Sequence, residues 1–210
     1  GSRMQNAALL WQVSLLVPPD KKGLALGLVG LVRVVPIVVF SLISGVVADA
    51  WDRRKLMLFT QSGSAMVALA LAWLTLRGLS AVWPIYALAA LSSAVGAFDL
   101  PARQALLPTL VSREHLPNAI SLNTTMMQTA SVAGPALGGL MIAATSVGWA
   151  YVANAVSFGF VILALVAMRN VPARERSAAG QRDDVSLHAA LEGLRFVFRS
   201  PLIRSTMLLD

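Results

Sequence analysis

The sequence predicts an all-α, polytopic bundle of transmembrane helices, and three observations carry that reading. Hydrophobic residues make up 57% of the 210 and charged residues only 13%, against about 45–50% and about 25% in soluble domains. The apolar residues fall in unbroken runs long enough to cross a bilayer core, which takes about 20 residues per helix. The charges gather between those runs. A chain so composed has too little polar side chain to cover a surface facing water.

The runs can be justified in order. Residues 24–48 form one, broken only by Arg33 and Pro36. Residues 56–76 carry no charge, and 82–98 are shorter but equally clean. Residues 120–144 are uncharged and contain several small side chains, and 149–168 make the last full run. Residues 4–17 are apolar but short and carry Gln5, Asn6 and Gln12, so they read as the distal part of a first span. The expected division is a bundle over 1–168, a cytoplasmic linker with an amphipathic helix over 169–200, and the start of a seventh span at 201–210. Within the linker, 169–184 is rich in Arg, Ala and Ser. Beyond it Leu187, Leu191, Leu194 and Phe198 recur at helical spacing, with His188, Glu192, Arg195 and Arg199 on another face. Such a helix lies at the cytoplasmic membrane surface or against the bundle, or serves as a soluble interaction helix. No basic stretch precedes a short apolar run at Gly1-Ser2-Arg3-Met4, so no cleavable signal is read there.

Lysine and arginine in the connections give an orientation. With the three longer connections (49–55, 99–118 and 169–200) and residues 201–210 on one side, that side holds 12 of the 17 basic residues. The other side holds Lys21, Lys22 and Arg77, while Arg3 precedes the first span and Arg33 lies inside the second. The longer connections are therefore expected in the cytoplasm. The same split accounts for the net charge of +7 without nucleic acid as a partner. There is no cysteine, so disulfides and thiolate metal sites are excluded. His115 and His188 both fall in polar connections. No phosphate-loop pattern and no intramembrane histidine beside a serine are present, and no enzyme or cofactor is expected.

The connection after the 24–48 run reads Gly45-Val46-Val47-Ala48-Asp49-Ala50-Trp51-Asp52-Arg53-Arg54-Lys55. Asp49 falls near a helix C-terminus, where the dipole disfavours its charge, and Asp52 near the next N-terminus, where it is favoured. Asp49 therefore wants a cationic partner, and Arg53 is near in sequence. Gly45 allows close helix approach. An ordinary positive-inside loop explains the arginines but not the Gly-x-x-x-Asp-x-x-x-Arg-Arg spacing. That spacing resembles the loop 2–3 signature of the major facilitator superfamily, Gly-x-x-x-Asp-(Arg/Lys)-x-Gly-(Arg/Lys)-(Arg/Lys). Gly45, Asp49, Arg53 and Arg54 match it, while Ala50 replaces a basic residue and Asp52 the second glycine. The Asp-Arg-Arg ending looks like the branch of enterobactin-type siderophore exporters and macrolide efflux proteins.

Two further segments add to the resemblance. Phe98-Asp99-Leu100-Pro101-Ala102-Arg103-Gln104-Ala105-Leu106-Leu107-Pro108, followed by Leu116-Pro117-Asn118-Ala119, is similar to the loop 4–5 segment of that branch. Asp99 is read here as ending a span on the side of Arg53 and Arg54, either pairing with them or capping the helix. Gly134-Pro135-Ala136-Leu137-Gly138-Gly139 resembles the end of the antiporter signature, although Ala130 and Ser121 stand where that signature has glycines. Plain helix packing explains the same residues.

The resemblance implies a conformational latch at Gly45, Asp49, Arg53, Arg54 and Asp99. It also implies proton-coupled efflux of a small amphipathic compound, a siderophore or drug, by alternating access. The implied partners are the lipid bilayer, a small-molecule substrate and a C-terminal half, in a bacterial inner membrane. No acidic residue is read deep in a span, so no coupling carboxylate is named. From the residues themselves, Arg33 faces a cavity or snorkels. Ser121, Thr124, Thr125, Gln128 and Ser131 share one helical face, as do Gln5 and Gln12. Those stripes line a water-filled cleft or bond between helices. A non-transporting membrane subunit or receptor and the membrane domain of an ATP-driven transporter stay open.

Overall fold

Six helices joined by short connections make up the described residues of the computed structural model, 1–168, all within the unit Gly1–Ala173. They are α1 (Ser2–Leu16), α2 (Lys22–Ala50), α3 (Arg53–Leu76), α4 (Trp83–Leu110), α5 (Leu116–Ala144) and α6 (Val147–Ala167), with one 3-10 turn at Pro19–Lys21. There is no strand among the described residues. The linker over 169–184, the stripe from Leu187 to Phe198 and the span start at 201–210 lie outside them.

Each boundary has a local cause. Asp52 N-caps α3, its carboxylate accepting from the Arg54 and Lys55 backbone N–H groups at 2.9 and 3.2 Å, which satisfies two of the helix's orphan donors. At the other end of α3, Gly78 has φ 80°. Its N–H reaches the Thr75 carbonyl and the Leu79 N–H the Leu74 carbonyl, both at 3.1 Å. This is a Schellman ending, which needs a left-handed residue. Proline opens α4 and α5 at the first turn, where its missing N–H costs nothing.

One boundary departs from the sequence expectation. The connection expected over 99–118 shrinks to 111–115, because α4 runs on to Leu110 through Pro101 and Pro108. The packing of its last turns explains why: Ala102 and Leu106 are buried against Leu56 and Met57 of α3 and Leu165 of α6. Asp99 therefore does not end a helix, and Arg103 leaves the loop tally.

Among the described residues, four helical stretches are long and apolar enough to cross a membrane: Pro19–Ser41, Arg53–Leu76, Trp83–Pro108 and Val147–Ala167. α5 has the length, at 29 residues, but is not among them. Seven polar side chains between Ser121 and Ser131 lower its hydropathy. Short connections make successive helices alternate in direction. The ends of α1 and α3 and the starts of α4 and α6 thus meet at one rim, which carries Trp11, Trp73, Trp83 and Trp149. Trp51 marks the opposite rim, and all five tryptophans are more than half exposed. Arg53 to Trp73 spans 20 residues of α3, about 30 Å of rise, which is the thickness of a bilayer core. These are the aromatic belts of a membrane protein. Large apolar side chains between them, such as Met66 and Phe160, face outward.

Inside, α2 packs on α4, α3 on both α4 and α6, and α1 on α5, α6 and α2. Short α1 is central. Its Ala8 joins Leu71, Ala150 and Tyr151 in one core cluster, and its Leu9 and Val13 join Val29, Ile85 and Ala89 in another.

Candidate functional site

Among the polar side chains buried in this apolar setting, each group marks a place where chain chemistry outweighs the cost of desolvation. The first group joins helices. Gln12, expected to line a cleft, is buried instead. Its Nε2 donates to Thr75 Oγ1 at 2.9 Å, and Tyr151 Oη donates to its Oε1 at 2.8 Å. This ties α1 to α3 and α6, so for Gln12 the reading of interhelical bonding is the one realised. About two turns away along α1, Asn154 Nδ2 donates to Gln5 Oε1, and both residues are buried.

The second group surrounds a cavity of about 300 Å³. Gln5 borders it, with Arg3 and Asn6 from α1, Arg33 from α2, Gln61 and Ser64 from α3, and Ser93, Asp99 and Arg103 from α4. Arg33 lies 11 residues past Lys22, about 16 Å along the helix, or half a bilayer core. Its Nη1 donates to Asn6 Oδ1, and its Nε to Ser93 Oγ at 3.4 Å. Arg33 thus borders the cavity.

Asp99 forms the other pole. Its Oδ1 accepts from Thr60 Oγ1 at 3.0 Å and Gln61 Nε2 at 2.7 Å, and its Oδ2 pairs with Arg103 at 3.1 Å. The helical i, i+4 spacing brings Arg103 there, so the loop arginines are not needed. Gln61 is 3% exposed, and its Oε1 has no hydrogen-bond partner.

Other expected residues are placed elsewhere. Arg54 donates to the carbonyls of Leu165 and Val166 at 2.7 and 2.8 Å. These are orphan acceptors at the C-terminus of α6, where a cation is favoured. It does not pair with Asp99. Gly45 and Asp49 lie in the last turns of α2, and a Cβ on Gly45 would meet no neighbour within 4 Å, so it makes no close helix contact there. Arg53 opens α3. Ser121, Thr124, Thr125 and Gln128 are exposed on α5 and do not border the cavity. The Thr124 and Thr125 hydroxyls bond back to the carbonyls of Ile120 and Ser121. In the proline–glycine segment, Gly134 and Gly138 face α1: a Cβ there would come within 2.7 Å of Arg3 and 2.9 Å of Met4. Pro135 is exposed, and Gly139 faces open space.

Asn6, Thr60, Gln61, Ser93 and Arg103 went unremarked as site residues in the sequence. The signal for Asn6, Thr60, Gln61 and Ser93 is that each is polar within an apolar run, and Arg103 also falls in the 98–108 segment that carries the resemblance.

The family described as transmembrane secretion effector matches residues 1–209. The chain is similar to the uncharacterized MFS-type transporter YfiS of Bacillus subtilis (strain 168), 28% identical over 82% of this chain and 40% of the relative. It is also similar to the enterobactin exporter EntS of Shigella boydii serotype 18 and of Escherichia coli O1:K1, each 27% identical over 95% of this chain and 44% of the relative. The chain thus spans less than half the length of these relatives. No solved structure matches it. With apolar helices crossing a bilayer, a polar cavity between them and a family match along almost its whole length, this multi-pass membrane chain belongs to the major facilitator superfamily of transporters.

Proposed function

We propose that the full-length protein is a secondary active transporter that exports a small amphipathic compound in exchange for protons, with this chain as its N-terminal half. In that reading residues 1–168 form the half-bundle, 169–200 a cytoplasmic linker and 201–210 the start of the C-terminal half. The observation that carries it is Arg33, held at half the depth of the bilayer over a polar cavity. A guanidinium is costly at that depth and marks a substrate or ion path. Transporters of this architecture bind at the midplane and rock two halves about the site.

Asp99 supplies a carboxylate to the same cavity and is the group we assign to proton coupling. Gly45, Asp49, Arg53 and Arg54 form the latch, with Arg54 linking the 2–3 connection to the end of α6. The exposed stripe of Ser121, Thr124, Thr125 and Gln128 faces the C-terminal half across the cleft. Export is favoured by the similarity to the enterobactin exporters. The site of action is a bacterial inner membrane, with the longer connections in the cytoplasm.

The test is an efflux panel on the full-length protein in cells, including siderophores and macrolides. At least one compound should accumulate less when the protein is present, and a protonophore should abolish that difference. Export that continues without a proton gradient but stops on ATP depletion would exclude secondary transport. A panel with no exported compound would count against transport itself.

A further inference from the structure

The charges around the cavity do not cancel. It is bordered by three guanidiniums, of Arg3, Arg33 and Arg103, and one carboxylate, of Asp99. Arg103 and Asp99 satisfy each other at 3.1 Å. Arg33 is left with two neutral oxygens, Asn6 Oδ1 and Ser93 Oγ, and no carboxylate among the described residues. Of the five N–H donors of a guanidinium, three therefore remain unused. Arg3 borders the same cavity. A cation entering this space meets two guanidiniums with no carboxylate paired to them among the described residues, whereas an anion meets free N–H donors of the kind that make bidentate contact.

A second feature points to the same occupant. Gln61 is held in place by its amide donating to Asp99. Its Oε1 is buried and unpartnered on a residue that borders the cavity, an acceptor in want of a donor, which is a costly state unless water or a ligand supplies one. The two poles are anchored by Ser93 and Asp99, six residues apart on α4, about 9 Å along the axis.

We infer that the cavity takes an organic anion, with the carboxylate, phosphate or catecholate group of the substrate on Arg33 and a hydroxyl or amide N–H of the same molecule on Gln61 Oε1. This rests on the transporter reading and narrows it, because cationic drugs are disfavoured as substrates.

Equilibrium binding to the purified full-length protein in phosphatidylcholine nanodiscs tests the inference apart from transport. The probes are 6-hydroxy-2-naphthoate, its uncharged carboxamide, and 2-naphthoate without the hydroxyl. The hydroxynaphthoate should bind about tenfold or more tightly than the carboxamide, as expected for hydrogen bonds to a charged group, and more tightly than 2-naphthoate. In Arg33→Gln the preference for the anion over the carboxamide should vanish while carboxamide binding persists, which shows the protein to be folded. Arg33→Lys should restore part of the preference. In Gln61→Met the hydroxyl should confer no advantage while the anion preference stays.

Equal binding of carboxylate and carboxamide, an undiminished anion preference in Arg33→Gln, or no binding of the carboxylate overturns the inference. So does loss of naphthoate binding on adding phosphatidylglycerol, which would assign Arg33 to a lipid headgroup. If the efflux panel moves a neutral or cationic compound while the carboxylate fails to bind, the inference fails and transport stands. If the carboxylate binds and nothing is exported, the reverse holds.

Discussion

Asp99 lies 16 residues into α4, about 24 Å from its start, with three side chains directed at one carboxylate. Asparagine at this position still accepts from Thr60 and Gln61 but carries no charge to pair with Arg103. Asp99→Asn is therefore expected to slow pH-gradient-driven flux in proteoliposomes by about tenfold or more, a typical coupling between two sites, while substrate exchange without a gradient continues. Gradient-driven flux at the wild-type rate would remove Asp99 from the coupling step. The other residue-scale prediction concerns Gln12, which satisfies both Thr75 and Tyr151. Gln12→Leu strands the buried Tyr151 hydroxyl and the partly buried Thr75 hydroxyl and should cost about 1–2 kcal/mol of unfolding free energy in bicelles, whereas Tyr151→Phe, which leaves Gln12 bonded to Thr75, should cost less than about 1 kcal/mol. Equal losses would show that the pair with Thr75 adds nothing. These residues also show what the sequence could and could not reveal. Periodicity puts Gln5 and Gln12 on one face, but not what covers that face. One borders the cavity and the other is sealed between helices. Arg33 was legible because an intramembrane charge has few fates. Asn6, Gln61 and Ser93 were not, because a neutral polar residue in a span has many.

At the scale of elements, hydropathy located the cores of the helices, and tertiary packing decided their ends. Asp99 and Pro101 read as a stop in isolation. The burial of Ala102 and Leu106 against α3 and α6 outweighs the cost of two prolines in α4, a cost that membrane helices absorb more readily than soluble ones. The reverse case is α5, whose apolar length was evident but whose polar upper half weakens it as a lipid-facing span. Its lower half meets α1 through Gly134 and Gly138, where an added Cβ would press on Arg3 and on Met4, including backbone atoms. Gly134→Ala and Gly138→Ala should each lower the apparent Tm in detergent by several degrees, about 1 kcal/mol or more of overpacking. Gly139→Ala, which meets nothing within 4 Å, should leave Tm unchanged to within about one degree. Equal effects at all three positions would mean that the close approach of α5 to α1 does not contribute to stability. The first turn of α3 gives a second comparison. Asp52→Ala removes the acceptor for two backbone donors and should cost about 1 kcal/mol.

For the whole molecule, orientation is the property that links the cavity to a direction of transport, and two features bear on it independently. The tryptophans mark the two rims that helix alternation creates but are symmetric with respect to inside and outside. Basic residues in the connections are what can break that symmetry: among the described residues, with Arg103 placed on the cavity wall, Arg53, Arg54, Lys55 and Arg113 stand at one rim against Lys21, Lys22 and Arg77 at the other. The chain has no cysteine, so single cysteines report their location without background. Arg77→Cys follows α3 at the rim of four tryptophans, and Glu114→Cys sits in the connection between α4 and α5 at the other. In intact cells producing the full-length protein, a membrane-impermeant maleimide should label Arg77→Cys and spare Glu114→Cys, and permeabilisation should expose the second. Labelling of both in intact cells would break the alternation of helices. Labelling of Glu114→Cys alone would invert the bundle, place Asp99 and Arg103 toward the outside, and turn the proposed export path into one of uptake.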